Sequence, residues 1–364
     1  MGARIKRQVP LAAIGLLAFG AACGGVIERA GTPGAWDGKF ISCHAPEAML
    51  GVVRGTNATT VFQATPTGIA WKYVLPETTA RYDQIWAAAD GTAAVVALTI
   101  NQGGASRNFY VSKSGPVEVN GGLVAVDFQG DRVLIVTAGP KGDLTYRARV
   151  FQRTPWRLVG DSTFAADFGD DFRRFSVRLA GDGQSYYYLD GTMAPTLRDA
   201  VTGQQMPLGT AFPRGGIDDM LLDSSAEGFV VARNQLYALG PDRAMTLIPT
   251  PDKQRVESLV ETEAPGLQAV RFAYGWGMLD RAAKRWLKVS GDPVSSIQSH
   301  GAKLTVVNSP AGKDSIEVFD FSGRSPTLVG NASSPAAAQA VACVNPFGYM
   351  RYVDGAFEWH RLGR

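Results

Sequence analysis

The chain has 364 residues and a formal net charge of +3, with 45% hydrophobic and 19% charged residues. A chain this long exceeds one ordinary β-sandwich, so two β domains or one repetitive ring is expected. Arg4, Lys6 and Arg7 account for the whole charge excess; beyond them basic and acidic residues are equal in number, and no clustered Lys and Arg surface is on offer to nucleic acid.

Those three basic residues precede an apolar run over 9–22. The run is shorter than the about 20 residues a membrane-spanning helix needs and suits the h-region of an export signal. The segment Gly20-Ala21-Ala22-Cys23 then resembles the lipobox of bacterial lipoproteins. Ala21 and Ala22 suit a peptidase that must bring backbone close to the scissile bond, while Gly20 stands where the family carries Leu, Val or Ile. The resemblance implies a signal peptide over 1–22, a lipid on Cys23, a tether over 23–37, and a protein anchored by its N-terminal lipid at the outer membrane or cell surface. The alternative is cleavage after a small-x-small pattern, which leaves a soluble periplasmic or secreted protein.

From residue 38 to 364 the chemistry is that of strands. Short apolar runs at 92–98, 132–137, 228–232 and 303–307 are bounded by Gly, Asp, Asn or Pro, the strand-and-turn pattern. A tight turn between two such runs recurs at Pro46, Gly91, Gly130, Gly183, Gly228, Gly266, Gly301 and Pro346. Its mean spacing of about 43 residues is that of propeller blades. The second unit shows its strands at 92–98, 108–112 and 116–120, before the next innermost strand at 123–128. The expected fold is all-β, a single β-propeller of eight four-stranded blades, or seven if the first and last units share one sheet. The last unit has three clear strands, at 339–345, 348–354 and 356–362. Its fourth comes from residues just after Cys23, or the blade is short.

Cys43 and Cys343 each stand three residues before a turn proline, Pro46 and Pro346, in the first and last units. A closed ring makes those units neighbours, so a Cys43–Cys343 disulfide is expected, and an oxidising envelope permits it. Two buried free thiols on adjacent strands are the alternative.

In 198–205, Asp199, Thr202 and Gly203 resemble the outer-strand turn of PQQ-like propeller repeats, Asp-x-x-Thr-Gly before a strand ending in Trp. Here the Leu208 region takes the Trp place. Thr67-Gly68 with Trp71 is similar and one residue shorter, and weaker echoes stand at Asp280 with Trp286 and at Asp320 with Gly323. This resemblance to the PQQ-like and WD40-like propeller superfamily implies repeat architecture, and lipid-anchored propellers of the kind serve as scaffolds that offer flat faces to envelope partners. Quinoprotein dehydrogenases of the superfamily are longer and carry adjacent cysteines, which this sequence lacks.

Three histidines, His44, His300 and His360, form no HxH or HExxH pattern, and turn histidines are the plain reading. Asp90, Asp131, Asp182 and Glu227 lie beside landmark glycines and are expected around one mouth of the channel. There they would bind Ca²⁺ through oxygen, supply an acid/base pair, or simply serve as turn residues. The loop of Phe168, Asp170, Asp171, Phe172, Arg173, Arg174 and Phe175 combines aromatics with arginine, as interface hot spots do. The alternative is a blade connection with one apolar anchor. Tyr186–Tyr188 reads as a strand packed on both faces. The expected function is a non-catalytic scaffold for an envelope protein partner, with no cofactor. The alternative is a propeller hydrolase or lyase acting on an envelope or extracellular sugar or lactone.

Overall fold

Unbroken apolar runs four to seven residues long must be covered on both faces, and a ring of radially packed sheets does this for the strands near its axis. The computed structural model describes residues 25–27, 38–45, 48–54, 59–65, 68–75, 81–99, 106–140, 143–168, 177–189, 195–206, 217–242, 244–264, 266–308, 315–323, 325–333, 341–345, 348–353 and 356–362. They form a single all-β propeller of eight four-stranded antiparallel sheets. The first described strand, β1 (Gly25–Ile27), belongs to the last of them.

Blade 1 holds β2–β5 (Gly38–Ala45, Ala48–Arg54, Thr59–Thr65, Gly68–Val74) and blade 2 holds β6–β9 (Arg81–Ala87, Ala93–Thr99, Ser106–Ser112, Gly115–Val119). Blade 3 holds β10–β13 (Gly122–Gln129, Arg132–Ala138, Thr145–Gln152, Arg157–Ala165) and blade 4 holds β14–β17 (Arg178–Leu179, Ser185–Leu189, Pro195–Asp199, Gln205–Met206). Blade 5 holds β18–β21 (Ile217–Leu222, Gly228–Ala232, Gln235–Leu239, Met245–Ile248) and blade 6 holds β22–β25 (Val256–Val260, Leu267–Phe272, Gly275–Asp280, Arg285–Ser290). Blade 7 holds β26–β29 (Val294–His300, Lys303–Asn308, Ser315–Asp320, Thr327–Ser333). Blade 8 holds β30–β32 (Val341–Asn345, Gly348–Val353, Ala356–Arg361), with β1 as its outermost strand. Gly25–Ile27, inside the expected tether, is thus the fourth strand that the three-stranded last unit lacked.

Burial peaks at the second strand of a blade and falls outward from there. Every residue of the second strands β15 and β19 is buried, as are the middle five of β11, whereas the outermost β9 is exposed at three successive central residues. The apolar core is accordingly a series of slabs between blades. Leu50, Val52 and Val61 of blade 1 pack on Val96, Leu98 and Phe109 of blade 2, and the pattern repeats at each described interface through blade 7. Tyr186 and Tyr188 face blade 3 while Tyr187 faces blade 5, so the three tyrosines are packed on both faces of one strand.

The landmark turns at Gly91, Gly130, Gly183, Gly228, Gly266 and Gly301 all join the first strand of a blade to its second. In seven of the eight sheets the first hairpin also slips register near the start of the innermost strand, as between Tyr82 and Gln84 or Ile217 and Asp219. Such bulges bend a strand and deepen its twist. The Asp199 turn joins β16 to β17: the Asp199 carboxylate accepts from the backbone N–H groups of Val201 and Thr202 and from the Thr202 hydroxyl at 2.7–3.0 Å. Gly203 then takes φ +70°, a left-handed conformation open to glycine. Asp280 and Asp320 cap the matching turns of blades 6 and 7. On β25, Trp286 donates to the Pro249 carbonyl of blade 5 at 2.8 Å and lies so close over Gly277 that a Cβ there would meet the ring at 2.7 Å.

The ring closes where β2 of blade 1 packs beside β30 of blade 8. Cys43 and Cys343 lie on these two strands, with their side chains outside the described set.

Phe164 sits at the centre of the slab between blades 3 and 4, stacked on Tyr188 at 4.4 Å and in ring contact with Tyr146, Phe168 and Tyr186. Phe164→Ala should therefore cost about 3–5 kcal/mol, read as a lower urea midpoint.

Candidate functional site: the mouth of the channel

Inner strands of a propeller are sheet edges that face the channel, and their backbone N–H groups need partners. Two carboxylates supply them from the preceding blade. Asp127 Oδ2 on β10 accepts the Leu179 N–H of blade 4 at 2.7 Å, and Asp219 Oδ2 on β18 accepts the Leu259 N–H of blade 6 at 2.8 Å. Between them, Arg178 on β14 places Nη1 3.5 Å from Asp219 Oδ1. Across the channel, Gln129 at the end of β10 donates to Glu261, which follows β22.

This belt shifts its own proton equilibria. Burial pushes the Asp127 carboxyl up to about 6 against the pull of Arg178 and the bonded N–H groups. Burial pushes Glu261 up to about 7, with Asp127 and Glu263 adding repulsion and Arg178 opposing it. Glu261 lines the mouth cavity and is exposed there. Burial works against the Arg178 charge, but Asp219, Tyr187, Asp127 and Glu261 together hold its pKa above the ordinary value.

Above the belt lies an open cavity of about 880 Å³, lined by turns from blades 2 to 7. Asp90, Asp182, Asp223, Glu227, Glu261 and Glu263 supply its carboxylates, and Arg153, Arg281 and Lys284 its cations. Three of the four carboxylates expected at a mouth, Asp90, Asp182 and Glu227, therefore converge there. Asp131 does not line the cavity; it accepts the Thr154 N–H at 3.1 Å and caps a turn of blade 3.

Most mouth contacts are blade-to-blade ties. Arg153 of blade 3 bonds Asp90 of blade 2 at 3.0 Å and the Gly130 carbonyl at 2.6 Å. Arg132 of blade 3 donates to the Gly183 carbonyl of blade 4 at 3.0 Å. The Ser224 hydroxyl of blade 5 donates to Asp182 of blade 4. Arg281 of blade 6 lies over the Phe229 ring of blade 5 at 5.2 Å, and burial lowers its pKa. Glu263 of blade 6 accepts the Gly301 N–H of blade 7 at 2.6 Å, and His300 Nδ1 lies 3.8 Å from the same carboxylate.

Among the described residues, no three or more His, Cys, Asp or Glu converge as metal ligands. The side chains of His44 and His360 lie outside the described set, as do Asp170, Asp171, Phe172, Arg173, Arg174 and Phe175. Phe168 is described, and it is a core residue: 6% exposed and set edge-on to Tyr146 at 4.8 Å. Its own ring is packed in the slab between blades 3 and 4.

The belt residues Asp127, Arg178, Asp219 and Glu261 were not singled out in the sequence. Their signal was a charge inside an apolar strand pattern, as in Val124-Ala-Val-Asp127-Phe128 or Val177-Arg178-Leu179.

No family model matches this chain, and no curated protein matches it in sequence. Among solved structures, a chain in the crystal structure of a mitotic checkpoint complex aligns with all of this chain and 99% of its own length, at TM-score 0.44 and 9% identity. A likeness that distant carries no argument about function.

The belt sets a pH dependence. Carboxyls whose folded pKa is raised favour folding fully below their unfolded value, near 4, and lose that contribution as pH rises through the folded value. Unfolding free energy should therefore fall between about pH 4 and 7. Asp127→Asn should flatten that slope and gain up to about 3 kcal/mol at pH 7 relative to pH 4, on the scale of 1.4 kcal/mol per pKa unit, measured by urea unfolding at both pH values.

Proposed function

We propose that this protein is a lipid-anchored propeller of the cell envelope that holds a protein partner at the mouth of its channel and performs no catalysis. The observation that carries the reading is the open, acidic cavity built jointly by six blades. A surface assembled from many turns on a rigid ring suits recognition of an extended partner. The mouth carboxylates support the same reading, because Asp90, Asp182, Asp223 and Glu263 are engaged in capping turns and tying blades. The lipobox-like segment before Cys23 and the PQQ-like turns at Asp199 and Gly68 support an envelope scaffold. The packing of β2 beside β30 supports a Cys43–Cys343 bond.

A photo-reactive side chain at Lys284, in the mouth, should give one stoichiometric protein adduct in cells, and Glu227→Lys should diminish it. The same probe at Leu158, on the perimeter and 49% exposed, should give none. Equal adducts at both positions would remove the mouth as the docking site. Cys23→Ser should move the protein from the membrane fraction to the soluble one. Replacing Cys43 and Cys343 together by serine should lower stability by up to roughly 5 kcal/mol, the loop-entropy limit for a closure this long.

Glu261 favours the second reading, a hydrolase or lyase. A carboxyl near 7 with Glu263 two residues on is matched to acid/base work. Turnover of an envelope sugar or lactone that is lost in Glu261→Gln, with the ring intact by circular dichroism, would move the conclusion there.

A further inference from the structure

The turn between β24 and β25 reaches the mouth on blade 6, and its charge is unlike that of the other mouth turns. Residues 280–285 carry three cations, Arg281, Lys284 and Arg285, against one carboxylate. That carboxylate, Asp280, is engaged within the turn, where it accepts the Ala283 N–H at 2.9 Å. Arg281 and Lys284 line the cavity. Among the described residues neither Lys284 nor Arg285 has an ion pair, and both are exposed.

Arg281 differs from the other arginines of the mouth and belt in what its guanidinium bonds. Arg153 reaches Asp90 and the Gly130 carbonyl, Arg132 reaches the Gly183 carbonyl, and Arg178 pairs with Asp219. Among the described residues the Arg281 guanidinium makes no hydrogen bond and no ion pair. It lies over the buried ring of Phe229 at 5.2 Å. The backbone beneath it is fixed, since the Arg281 N–H donates to the Gly266 carbonyl at 2.9 Å. The side chain is half-buried, and burial lowers its pKa against the pull of Asp223. A charged group that has given up part of its hydration without a bonded acceptor carries a cost that an acceptor removes. The guanidinium is a rigid fork of donors that matches a carboxylate.

We infer that Arg281, with Lys284 three residues on, anchors an acidic side chain of the partner segment held at the mouth. This rests on the docking reading above and names the partner's chemistry at one edge of that site. Six carboxylates line the cavity against three cations, and they repel a free anion. The acidic residue therefore arrives on a segment whose Lys or Arg side chains face the carboxylates of the other blades. A fork already held over Phe229 loses little freedom on binding it.

The test measures, on the full protein, the affinity of a fluorescent amidated peptide that carries Lys and a single Glu. The same peptide with Gln in place of Glu is the reference. The parent protein should hold the Glu peptide about tenfold more tightly, the scale of one charge-assisted bond. That advantage should vanish in Arg281→Gln. It should shrink in Arg281→Lys, which keeps the charge and loses the fork, and in Lys284→Gln. Lys253→Gln, before β22 and so on the opposite face, should leave it unchanged. Because Arg281→Gln also removes the contact with Phe229, its urea midpoint is read alongside. If that midpoint falls, Lys284→Gln decides the outcome. Equal affinity for the two peptides in the parent protein, or a Glu advantage kept in both Arg281→Gln and Lys284→Gln, overturns the anchor. The photo-adduct comparison of mouth and perimeter decides the docking reading by itself. Adducts at the mouth with no Glu advantage leave that reading standing and remove the anchor alone.

Discussion

A sheet edge turned toward the ring's axis is the constraint from which this fold is built. Each innermost strand pairs on one side only, and the other side presents N–H groups to the channel. Asp127 and Asp219 answer two of those groups from neighbouring blades, and Arg178 balances the charge they bring. Carboxylates that bond a neighbouring blade's backbone, and in the case of Asp219 also pair with Arg178, do two things at once: they satisfy the edge and tie one blade to the next. The cost is desolvation, which leaves Asp127 and Glu261 poised in the pH range of ordinary environments.

The mouth repeats the same logic under wetter conditions. From blade 2 to blade 7, each neighbouring pair is tied by a polar or cation–π contact at the turns. Individually such exposed contacts contribute little. Their role is positional: they hold turns from six blades in one concave surface above apolar slabs that supply the stability. The residues that tie the blades therefore also line the cavity. A partner that met these carboxylates would meet side chains whose orientation the ring has already set, which lowers the ordering cost of binding.

Much of the architecture was legible in the sequence, and for a local reason. Strands buried on both faces must be continuous apolar runs, and tight hairpins must carry Gly, Asp or Asn. Runs such as 132–137 and landmarks such as Gly130 and Gly183 therefore announced blades, their spacing and their first hairpins. The three-stranded last unit likewise called for a strand from elsewhere, which β1 supplies. The convergence of Asp90, Asp182 and Glu227 was readable because equivalent turns of a ring point to the same mouth. Phe168 is buried, as the apolar anchor of a blade connection would be; an aromatic beside charges looks the same in sequence whether its ring points out or in, so the sequence left both readings open.

What the sequence alone determined is the repeat: period, hairpins, and the strand order that forces an all-β ring. What only the tertiary structure decided is pairing across distance. Arg132 and Gly183, Glu263 and Gly301, or Gln129 and Glu261 meet because closure brings separate blades within hydrogen-bond reach. No local pattern encodes that meeting, since each partner is an ordinary polar residue in its own segment. The same holds for the direction in which β1 enters blade 8. A three-residue strand has no polarity of its own until the sheet it joins supplies one.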